Sequence, residues 1–241
     1  MQTWLMELKD TFILNFIEDD RWRYLVKGLG VTLTVTFFAL LLGLVIGVAA
    51  AMIRAAYDQA GRDLAPGPAK FFFGLANGLV QLYVTVIRGT PVMVQLLIGY
   101  FVIFVTTTNT VLVASLVFGF NSGAYITEII RSGIMSIDPG QFEAGASLGF
   151  NYVGTMRFVI IPQAVKVVLP TLANEFIALL KETAVCGYIG LTDLTKAGDI
   201  IRGGTFSAFM PLLAVALIYL VFVLMFSAIF GKLERRLRTN D

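Results

Sequence analysis

Charged side chains stand inside long apolar segments of this sequence, and they are its most informative residues. A charge in a membrane-spanning segment costs about 2.5 kcal/mol or more on insertion scales, so its presence requires a reason. Arg88 lies midway through one such segment. Its guanidinium could bind a substrate carboxylate in bidentate fashion, or it could form a structural ion pair with Glu128 or Glu175. The sequence leaves both interpretations open.

The residues that follow this arginine interrupt the same apolar segment. Gly89 lowers the cost of a bend and Pro91 removes a backbone donor, so backbone groups around Thr90 are freed at the break. Gln95, one turn after the proline, could hydrogen-bond a substrate or hold two helices together. We interpret residues 71–105 as one long span, bent or partly unwound, with two short helices meeting at the break as the alternative.

A polar stripe runs along one helical face of a later apolar segment, at positions i, i+4, i+7 and i+11. Its members are Asn121, Tyr125, Glu128 and Ser132. Such a stripe either lines a translocation path or packs against another span. Glu128 could contact a substrate ammonium, but Arg131 lies three residues later and offers an internal ion pair.

Another span carries two pairs of polar residues on adjacent faces. Asn174 and Lys181 share one face, and Glu175 and Glu182 share the neighbouring face. Glu175 is the better candidate for a substrate cation because it lies deeper. Lys181 and Glu182 lie nearer the end, where snorkelling to water explains them. The candidate path residues are Arg88, Gly89, Thr90, Pro91, Gln95, Asn121, Tyr125, Glu128, Asn174, Glu175 and Lys181.

The composition identifies the elements that must position these residues. The chain is 57% hydrophobic and only 14% charged, whereas soluble domains carry about 25% charged residues. A membrane-spanning helix needs about 20 apolar residues. The sequence predicts an all-α, polytopic transmembrane helical bundle of about five spans. The predicted spans are Gly28–Ile53, Phe71–Val105, Thr110–Met135, Val167–Tyr188 and Phe209–Phe230.

Several features narrow the function. The chain has no histidine and one cysteine, which excludes a His/Cys metal site, a Cys–His nucleophile and an internal disulfide. Cys186 is interpreted as a packing residue. A net charge of +2 without a basic cluster gives no argument for nucleic acid. The spans show no internal repeat, so the fold would need a second copy or a partner to enclose a path. The pair Gly43 and Gly47 has the spacing that lets helices approach closely, or it reflects the abundance of glycine in membrane helices.

The ends of the chain indicate its orientation. Residues 1–27 read as an amphipathic helix on the membrane surface, with Trp4, Leu5, Leu8, Phe12 and Phe16 along one side. Five spans place the termini on opposite sides. One side holds ten Lys and Arg residues, among them Arg62 and the tail at 231–241, and the other holds six. Because positive loops stay in the cytoplasm, the N-terminus is predicted outside and residues 138–166 inside.

The segment at 138–166 contains the sequence EAGASLGF and predicts a helix–turn–helix. Pro139 and Gly140 separate it from the preceding span, and Gly149 suits a helix C-terminus. Asn151 can cap the second helix, which Pro162 then stops or kinks. The small residues after Glu143 form a thin surface that could enter a cleft on another protein. An ordinary interfacial loop is the alternative.

This segment resembles the EAA motif of ATP-binding-cassette (ABC) importer permeases. The motif reads Glu-Ala-Ala, three residues, Gly, nine residues, then Ile, any residue, Leu and Pro. The spacing is kept, with Gly145 replacing the second alanine, Val159 the isoleucine and Ile161 the leucine. Three further stretches resemble the polar amino acid subfamily: RGTPVMVQLLIGYF from Arg88, GAYITEIIRSGIMSIDPGQFEA from Gly123 and IIPQAVKVVLPTLANEFIALLKETA from Ile160.

The resemblance implies a type I ABC importer permease fold over residues 28–230 and a set of partners. A second permease subunit, identical or homologous, completes the pore, and an extracytoplasmic binding protein delivers an amino acid. A dimer of ATPase subunits binds ATP-Mg, and the chain itself has no cofactor and no phosphate-binding loop. The implied coupling residues are Glu143, Ala144, Gly145, Ala146, Gly149 and Pro162.

The resemblance also implies a place in the cell and a class of protein. The implied location is the bacterial plasma membrane, with the C-terminal tail in the cytoplasm. The implied class is a transport subunit that is not itself an enzyme. A self-contained channel or an ion-coupled secondary transporter is the alternative, and a membrane-embedded enzyme is a weaker one because no nucleophile–base spacing is evident.

Overall fold

The computed structural model describes residues 2–61 and 64–238, with side chains at 6–59, 61 and 64–236. The side chains of Trp4 and Leu5, residue Arg62 and the end of the C-terminal tail lie outside these ranges. Every regular element in the described ranges is helical. The α-helices are α1 Gln2–Phe12, α2 Trp22–Ala56, α3 Pro68–Arg88, α4 Val92–Ile98, α5 Thr110–Met135, α6 Gly140–Ser147, α7 Tyr152–Thr155, α8 Ile161–Glu182, α9 Leu194–Thr205 and α10 Phe209–Arg238.

Five helical stretches in the described ranges are long and apolar enough to cross a membrane, which confirms the all-α polytopic fold. They are Trp22–Gln59, Pro68–Arg88, Thr110–Met135, Tyr152–Ile189 and Phe209–Arg236. Two of them carry irregular turns that lengthen them. A π-helical turn at Tyr57–Gly61 extends α2, and a 3₁₀ turn at Thr183–Ile189 extends α8.

The second apolar region is divided, as the alternative prediction had it. Helix α3 ends at Arg88, and α4 begins at Val92 after a three-residue break. The amide of Gly89 still bonds to the carbonyl of Thr85 at 2.9 Å, but Pro91 has no N–H to continue the ladder. With its π-helical extension, α4 covers only Val92–Ile103. The interpretation of one long span was therefore wrong.

The fourth span begins earlier than predicted, because Pro162 does not stop its helix. A π-helical turn at Met156–Ile160 precedes α8, and the amide of Ile161 bonds to the carbonyl of Met156. Proline then occupies the first turn of α8, where its missing N–H and its ring are accommodated after the wider turn. The predicted start at Val167 therefore lies well inside a continuous helical stretch from Tyr152.

The chain forms two compact units, and each is described by itself. One contains the residues up to Ala39, Val92–Phe118 and Ile177–Phe226, and we call it the α9 unit. The other contains Leu40–Pro91, Gly119–Phe176 and the residues from Ser227 onward, and we call it the α6 unit.

Glycines bring two spans of the α6 unit into close contact. A Cβ on Gly43 of α2 would lie 3.2 Å from the backbone nitrogen of Gly123 in α5. A Cβ on Gly47 would lie 2.4 Å from the side chain of Ile126. The Gly43 and Gly47 spacing therefore serves helix packing, as one of its two interpretations held. Tyr83 of α3 donates to the carbonyl of Phe120 at 2.6 Å and adds a third helix to this contact.

The core of the α9 unit joins the N-terminal segment to α9 and α10. Phe16, Leu25, Leu194, Ala197, Ile201 and Val215 are its buried members. Phe16, which was expected on the membrane surface, packs against protein here, while Phe12 is 49% exposed. A Cβ on Gly28 would lie 2.7 Å from the carbonyl oxygen of Asp193, so the start of α2 must approach α9 without a side chain.

Candidate functional site

A cleft in the α6 unit gathers three of the candidate path residues. Nη1 of Arg88 lies 3.9 Å from Oε2 of Glu128, a loose ion pair. The guanidinium carbon of Arg88 lies 5.2 Å from the centre of the Tyr125 ring, within cation–π range. The Arg88 side chain is 42% exposed, so neither contact removes it from solvent.

A second arginine holds Glu128 more tightly than Arg88 does. Nη2 of Arg131 lies 2.6 Å from Oε1 of Glu128, and Nη1 of Arg131 lies 3.0 Å from Oδ2 of Asp58. The internal pair at i, i+3 is therefore the main contact of Glu128. Arg131 bridges two carboxylates, whereas Arg88 contributes a long contact to one of them. These four side chains comprise two cations and two anions.

Asp58 is the functional candidate that sequence reasoning missed. It lies in the π-helical turn that extends α2, and its side chain is 14% exposed. Its contact with Arg131 joins residues 73 positions apart. The available signal was an acidic residue at the end of an otherwise apolar span, but nothing in the sequence pairs it with a particular arginine.

The cleft has a volume of about 440 Å³ and polar groups at several points. It is lined by Arg88, Tyr125, Glu128, Ile129, Ser132, Gly133, Ser136, Val167, Val168 and Thr171. Helices α3, α5 and α8 supply these residues, except Ser136, which lies in the turn after α5. A guanidinium, one carboxylate, hydroxyl groups and apolar walls could together hold a small molecule with both charges, such as an amino acid.

The rest of the polar stripe and of α8 is placed differently. Asn121 is 3% exposed and so lies inside the α6 unit. Ser122 donates to Oε1 of Glu175 at 2.9 Å, which ties that carboxylate to α5. Asn174 is exposed. The candidates Gln95 and Lys181 belong to the α9 unit and are not among the residues that line this cleft.

A side chain in the break after α3 provides a hydrogen bond to a backbone carbonyl at the end of that helix. Thr90 donates its hydroxyl to the carbonyl of Val86 at 2.9 Å, in place of the amide that a continuing helix would supply. Gly89, Thr90 and Pro91 are exposed. The structure therefore places this break on the surface of the α6 unit, next in sequence to the arginine of the cleft.

A second candidate site is the turn between α6 and α7. Helix α6 ends in a Schellman motif, with the amide of Phe150 bonded to the carbonyl of Gly145 at 3.1 Å and that of Gly149 to Ala146 at 2.9 Å. Gly149 has φ +83°, in the left-handed region. Asn151 caps α7 by accepting from the amide of Gly154 at 2.8 Å. Both local predictions are confirmed.

The surface of α6 differs in one respect from the expectation. Glu143, Ala144 and Ala146 are exposed, but Gly145 is buried. A Cβ on Gly145 would lie 2.6 Å from the side chain of Thr155, so this glycine lets α6 pack against α7. The sequence interpretation placed Gly145 on the outward surface, and this was wrong because the residue is buried. The thin surface is formed by the two alanines.

The α6–α7 turn is held to the ends of the spans by apolar contacts. Ala55, Ile134, Ile160 and Ala164 form a buried cluster, and Phe142 of α6 packs against it. Gln163 of α8 also donates to Oε1 of Gln141 at 3.2 Å. The turn is thus fixed relative to α2, α5 and α8 in the α6 unit, which lets it transmit a displacement to those helices.

Five spans, a charged cleft and a helical turn between spans define a membrane transport component. Residues 60–239 match the model of the binding-protein-dependent transport system inner membrane component. This match covers more than half of the chain, and the chain belongs to that family. The predicted resemblance to ABC importer permeases is thereby confirmed.

Individual relatives support the family. The chain is 36% identical to "Glutamine transport system permease protein GlnP" of Escherichia coli K12 over 226 residues, covering 89% of this chain and 93% of the relative. It is 35% identical over 217 residues to "Putative glutamine transport system permease protein GlnP" of Rickettsia bellii, with the same coverage.

Solved structures share the fold. A chain in the crystal structure of "an amino acid ABC transporter with histidines" is 39% identical and superposes with a TM-score of 0.77, covering 89% of this chain and 94% of that one. A chain of the MetNI methionine ABC transporter in an inward-facing conformation superposes with a TM-score of 0.76 at 19% identity, covering 91% and 99%. At that identity the second likeness concerns the fold alone. The alternative of a self-contained channel or secondary transporter is not supported.

Proposed function

We propose that this chain forms the translocation path of an importer for a polar, neutral amino acid such as glutamine. The cleft around Arg88 carries this proposal, because its two charged lining residues, Arg88 and Glu128, have opposite charges. A zwitterion with an uncharged side chain adds no net charge to such a site. The names of the relatives, glutamine permeases, point to the same substrate class.

In this proposal Arg88 receives the substrate carboxylate. Its ion pair with Glu128, at 3.9 Å, is too long to be a strong charge-assisted hydrogen bond. Both of its terminal nitrogens can therefore turn toward a planar carboxylate. Arg131 is committed to Glu128 and Asp58 at 2.6 and 3.0 Å and would lose those contacts if it did the same. When Arg88 turns toward the substrate, Oε2 of Glu128 and the hydroxyl of Thr171 are available to the substrate ammonium.

The exposed face of α6 is the proposed contact with a dimer of ATPase subunits that bind ATP-Mg. Glu143, Ala144 and Ala146 face outward on a helix that is packed onto the ends of three spans. Movement of the ATPase would thus reach α2, α5 and α8. This assignment places residues 138–166 and the C-terminus in the cytoplasm and the N-terminus outside the bacterial plasma membrane. A second permease chain, identical or homologous, and an extracytoplasmic binding protein complete the importer.

The test is uptake by the complete importer in proteoliposomes. We expect Arg88→Ala to reduce glutamine uptake at least 100-fold and Arg88→Lys to reduce it at least tenfold, since an ammonium cannot bind a carboxylate in bidentate fashion. Arg23→Ala is a matched control. Arg23 also contacts a carboxylate, Asp20 at 3.0 Å, and an aromatic ring, Trp22 at 5.7 Å, but outside the cleft.

The control should transport at the wild-type rate. Uptake by Arg88→Ala that matches the control, in a complex of normal composition, would remove Arg88 from the path.

A further inference from the structure

Phe206 is held in an unusual conformation at the end of α9. Its φ is +53° and its ψ is 22°, in the left-handed region, where the Cβ of a non-glycine residue crowds the backbone. Its side chain is 96% exposed and thus makes almost no contact that could offset this strain. A strained residue persists only when its surroundings hold it, so the cause must lie in the residues on either side of it.

Asn15 from the N-terminal segment holds both neighbours of Phe206. Thr205 donates its hydroxyl to Oδ1 of Asn15 at 2.7 Å, and Nδ2 of Asn15 donates to Oγ of Ser207 at 3.1 Å. The Asn15 side chain is fully buried, so these bonds are shielded from water. The amide of Ser207 also bonds to Oγ1 of Thr205 at 3.4 Å. The turn therefore presents Phe206 as a fixed, projecting aromatic side chain.

Helix α9 carries a charged ridge in the residues that precede Phe206. Nζ of Lys196 lies 2.9 Å from Asp199, and Nη2 of Arg202 lies 2.5 Å from the same carboxylate. We call these three residues the α9 ridge. Its two cations outnumber its one anion, and all three side chains are more than one-third exposed. The ridge presents a net positive charge.

A cavity of about 470 Å³ adjoins the ridge. Tyr188, which is 63% exposed, and Leu212 contribute to its wall together with the three charged residues of the ridge. An exposed tyrosine and an arginine in the wall of the cavity have the composition of a protein-binding hot spot. Phe206 is not part of this wall, but it projects two residues before Ala208, which is part of it. Lipid is a poor occupant because the charged ridge would have to leave water.

We propose that the α9 ridge, Phe206 and this cavity form the docking surface for the substrate-binding protein of the importer. The inference rests on the proposed function, since the family to which the chain belongs is binding-protein-dependent. One span, Tyr152–Ile189, separates α9 from α6 in the chain. If α6 meets the ATPase in the cytoplasm, α9 emerges on the outer side, where the binding protein arrives. The partner surface would offer carboxylates to Lys196 and Arg202 and an apolar recess to Phe206.

The test measures ATPase activity of the complete importer in nanodiscs against the concentration of its binding protein. We expect Phe206→Gly to raise the concentration for half-maximal stimulation at least tenfold without changing basal ATPase activity. Glycine tolerates the left-handed conformation, so the turn itself is preserved. Arg202→Glu should raise that concentration at least tenfold as well, and more at low salt than at high salt.

Phe209→Ala is the matched control, because Phe209 is also a highly exposed phenylalanine, at 70%, three residues away on α10. It should leave the stimulation curve unchanged. Wild-type stimulation together with an unchanged curve for Phe206→Gly would overturn the docking surface and leave the proposed function intact. Failure of the binding protein to stimulate the wild-type complex would instead overturn the proposed function and the docking surface with it.

A second measurement separates protein docking from anchoring in lipid. A nitroxide attached at Phe206→Cys should collide with a water-soluble nickel reagent and be shielded from it by added binding protein. The native Cys186 is fully buried and does not compete for the label. The label could instead be relaxed mainly by lipid-soluble oxygen, with no effect of the binding protein. That result would show that position 206 lies in the bilayer and would contradict the proposal.

Discussion

Helices α6 and α9 both end in the left-handed conformation, and they do so by different means. Helix α6 ends at Gly149, with φ +83° and no atom within 4 Å of the position a Cβ would take. Helix α9 ends at Phe206, with φ +53°, and requires hydrogen bonds from the buried Asn15. The first end is local to its own residues. The second depends on a residue about 190 positions away in the sequence.

The difference teaches where strain is found in this chain. Glycine adopts the left-handed region at no steric cost, so the end of α6 forms without outside support. Phenylalanine pays about 1–2 kcal/mol there, and an exposed side chain returns none of it by burial. A conformation that costs free energy and gains no packing is a sign of function. The conformation of Phe206 therefore supports the proposed docking surface.

Between these two regions, the larger effect on activity is expected where the α6 turn meets its proposed partner. Glu143→Lys should leave the complex assembled and lower substrate-stimulated ATPase activity at least tenfold, because it reverses the charge on the exposed face of α6. Purified complexes in nanodiscs, with the binding protein and substrate added, give the measurement.

The matched control is Glu18→Lys, which makes the same charge change at an exposed residue of the N-terminal segment. It should retain stimulation. If both variants are stimulated as the wild type is, the α6 turn is not the site of coupling.

The next effect should come from removing the support of the α9 turn. Asn15→Ala removes the two side-chain hydrogen bonds to the half-buried Thr205 and Ser207, a loss of about 0.5–1.5 kcal/mol for each bond. We expect a lower thermal midpoint in detergent, read by tryptophan fluorescence. Asn174→Ala removes an exposed asparagine and should stay within about 0.5 kcal/mol of the wild type. Equal midpoints for the two variants would show that Asn15 does not support the turn.

Substitutions at the two left-handed residues should change the free energy of unfolding in opposite directions. Gly149→Ala places a Cβ at φ +83° and should destabilise by about 1 kcal/mol. Phe206→Gly should stabilise by about 0.5–1 kcal/mol, because the strain it relieves, about 1–2 kcal/mol, exceeds the added entropy of the unfolded chain, about 0.4–1 kcal/mol. Midpoint shifts of the same sign in these two variants would contradict the comparison.

The smallest effect concerns the pH dependence of the α9 ridge. Hydrogen bonds from Lys196 and Arg202 lower the pKa of Asp199 below its ordinary value. Its contribution to stability is therefore complete above the unfolded-state pKa, about 3.9, and is lost as pH falls through the lower folded-state pKa. Asp199→Asn should melt slightly below the wild type at pH 7. The difference should begin to shrink below about pH 4 and vanish only when the pH lies below the lowered folded-state pKa of Asp199. A constant difference across that range would exclude this ion pair as its cause.

Much of the fold could be predicted from hydropathy and helix-ending residues. The third span, Thr110–Met135, agrees with the prediction at both ends. Gly149 and Asn151 ended and began their helices as expected, since these signals act within one turn of the chain. Pro162 misled the prediction because a π-helical turn, which has no clear sequence signature, precedes it.

The candidate site was predictable by residue but not by pairing. Arg88, Tyr125 and Glu128 are polar residues in apolar segments, where a polar group is costly unless it has a role, and they do line one cleft. Which arginine holds Glu128 depends on distances of 2.6 and 3.9 Å that spacing alone cannot decide. Asp58 escaped notice because its partner is supplied by another helix.

The sequence by itself determined the class of protein, the number of spans and the positions of the small turn residues. These follow from local physics: the length of an apolar run, the missing N–H of proline and the missing side chain of glycine. Only the tertiary structure decided that Gly145 faces Thr155, that Arg131 bridges Asp58 and Glu128, and that Asn15 fixes Phe206. Each of these depends on contacts between distant segments, which form only when the helices pack.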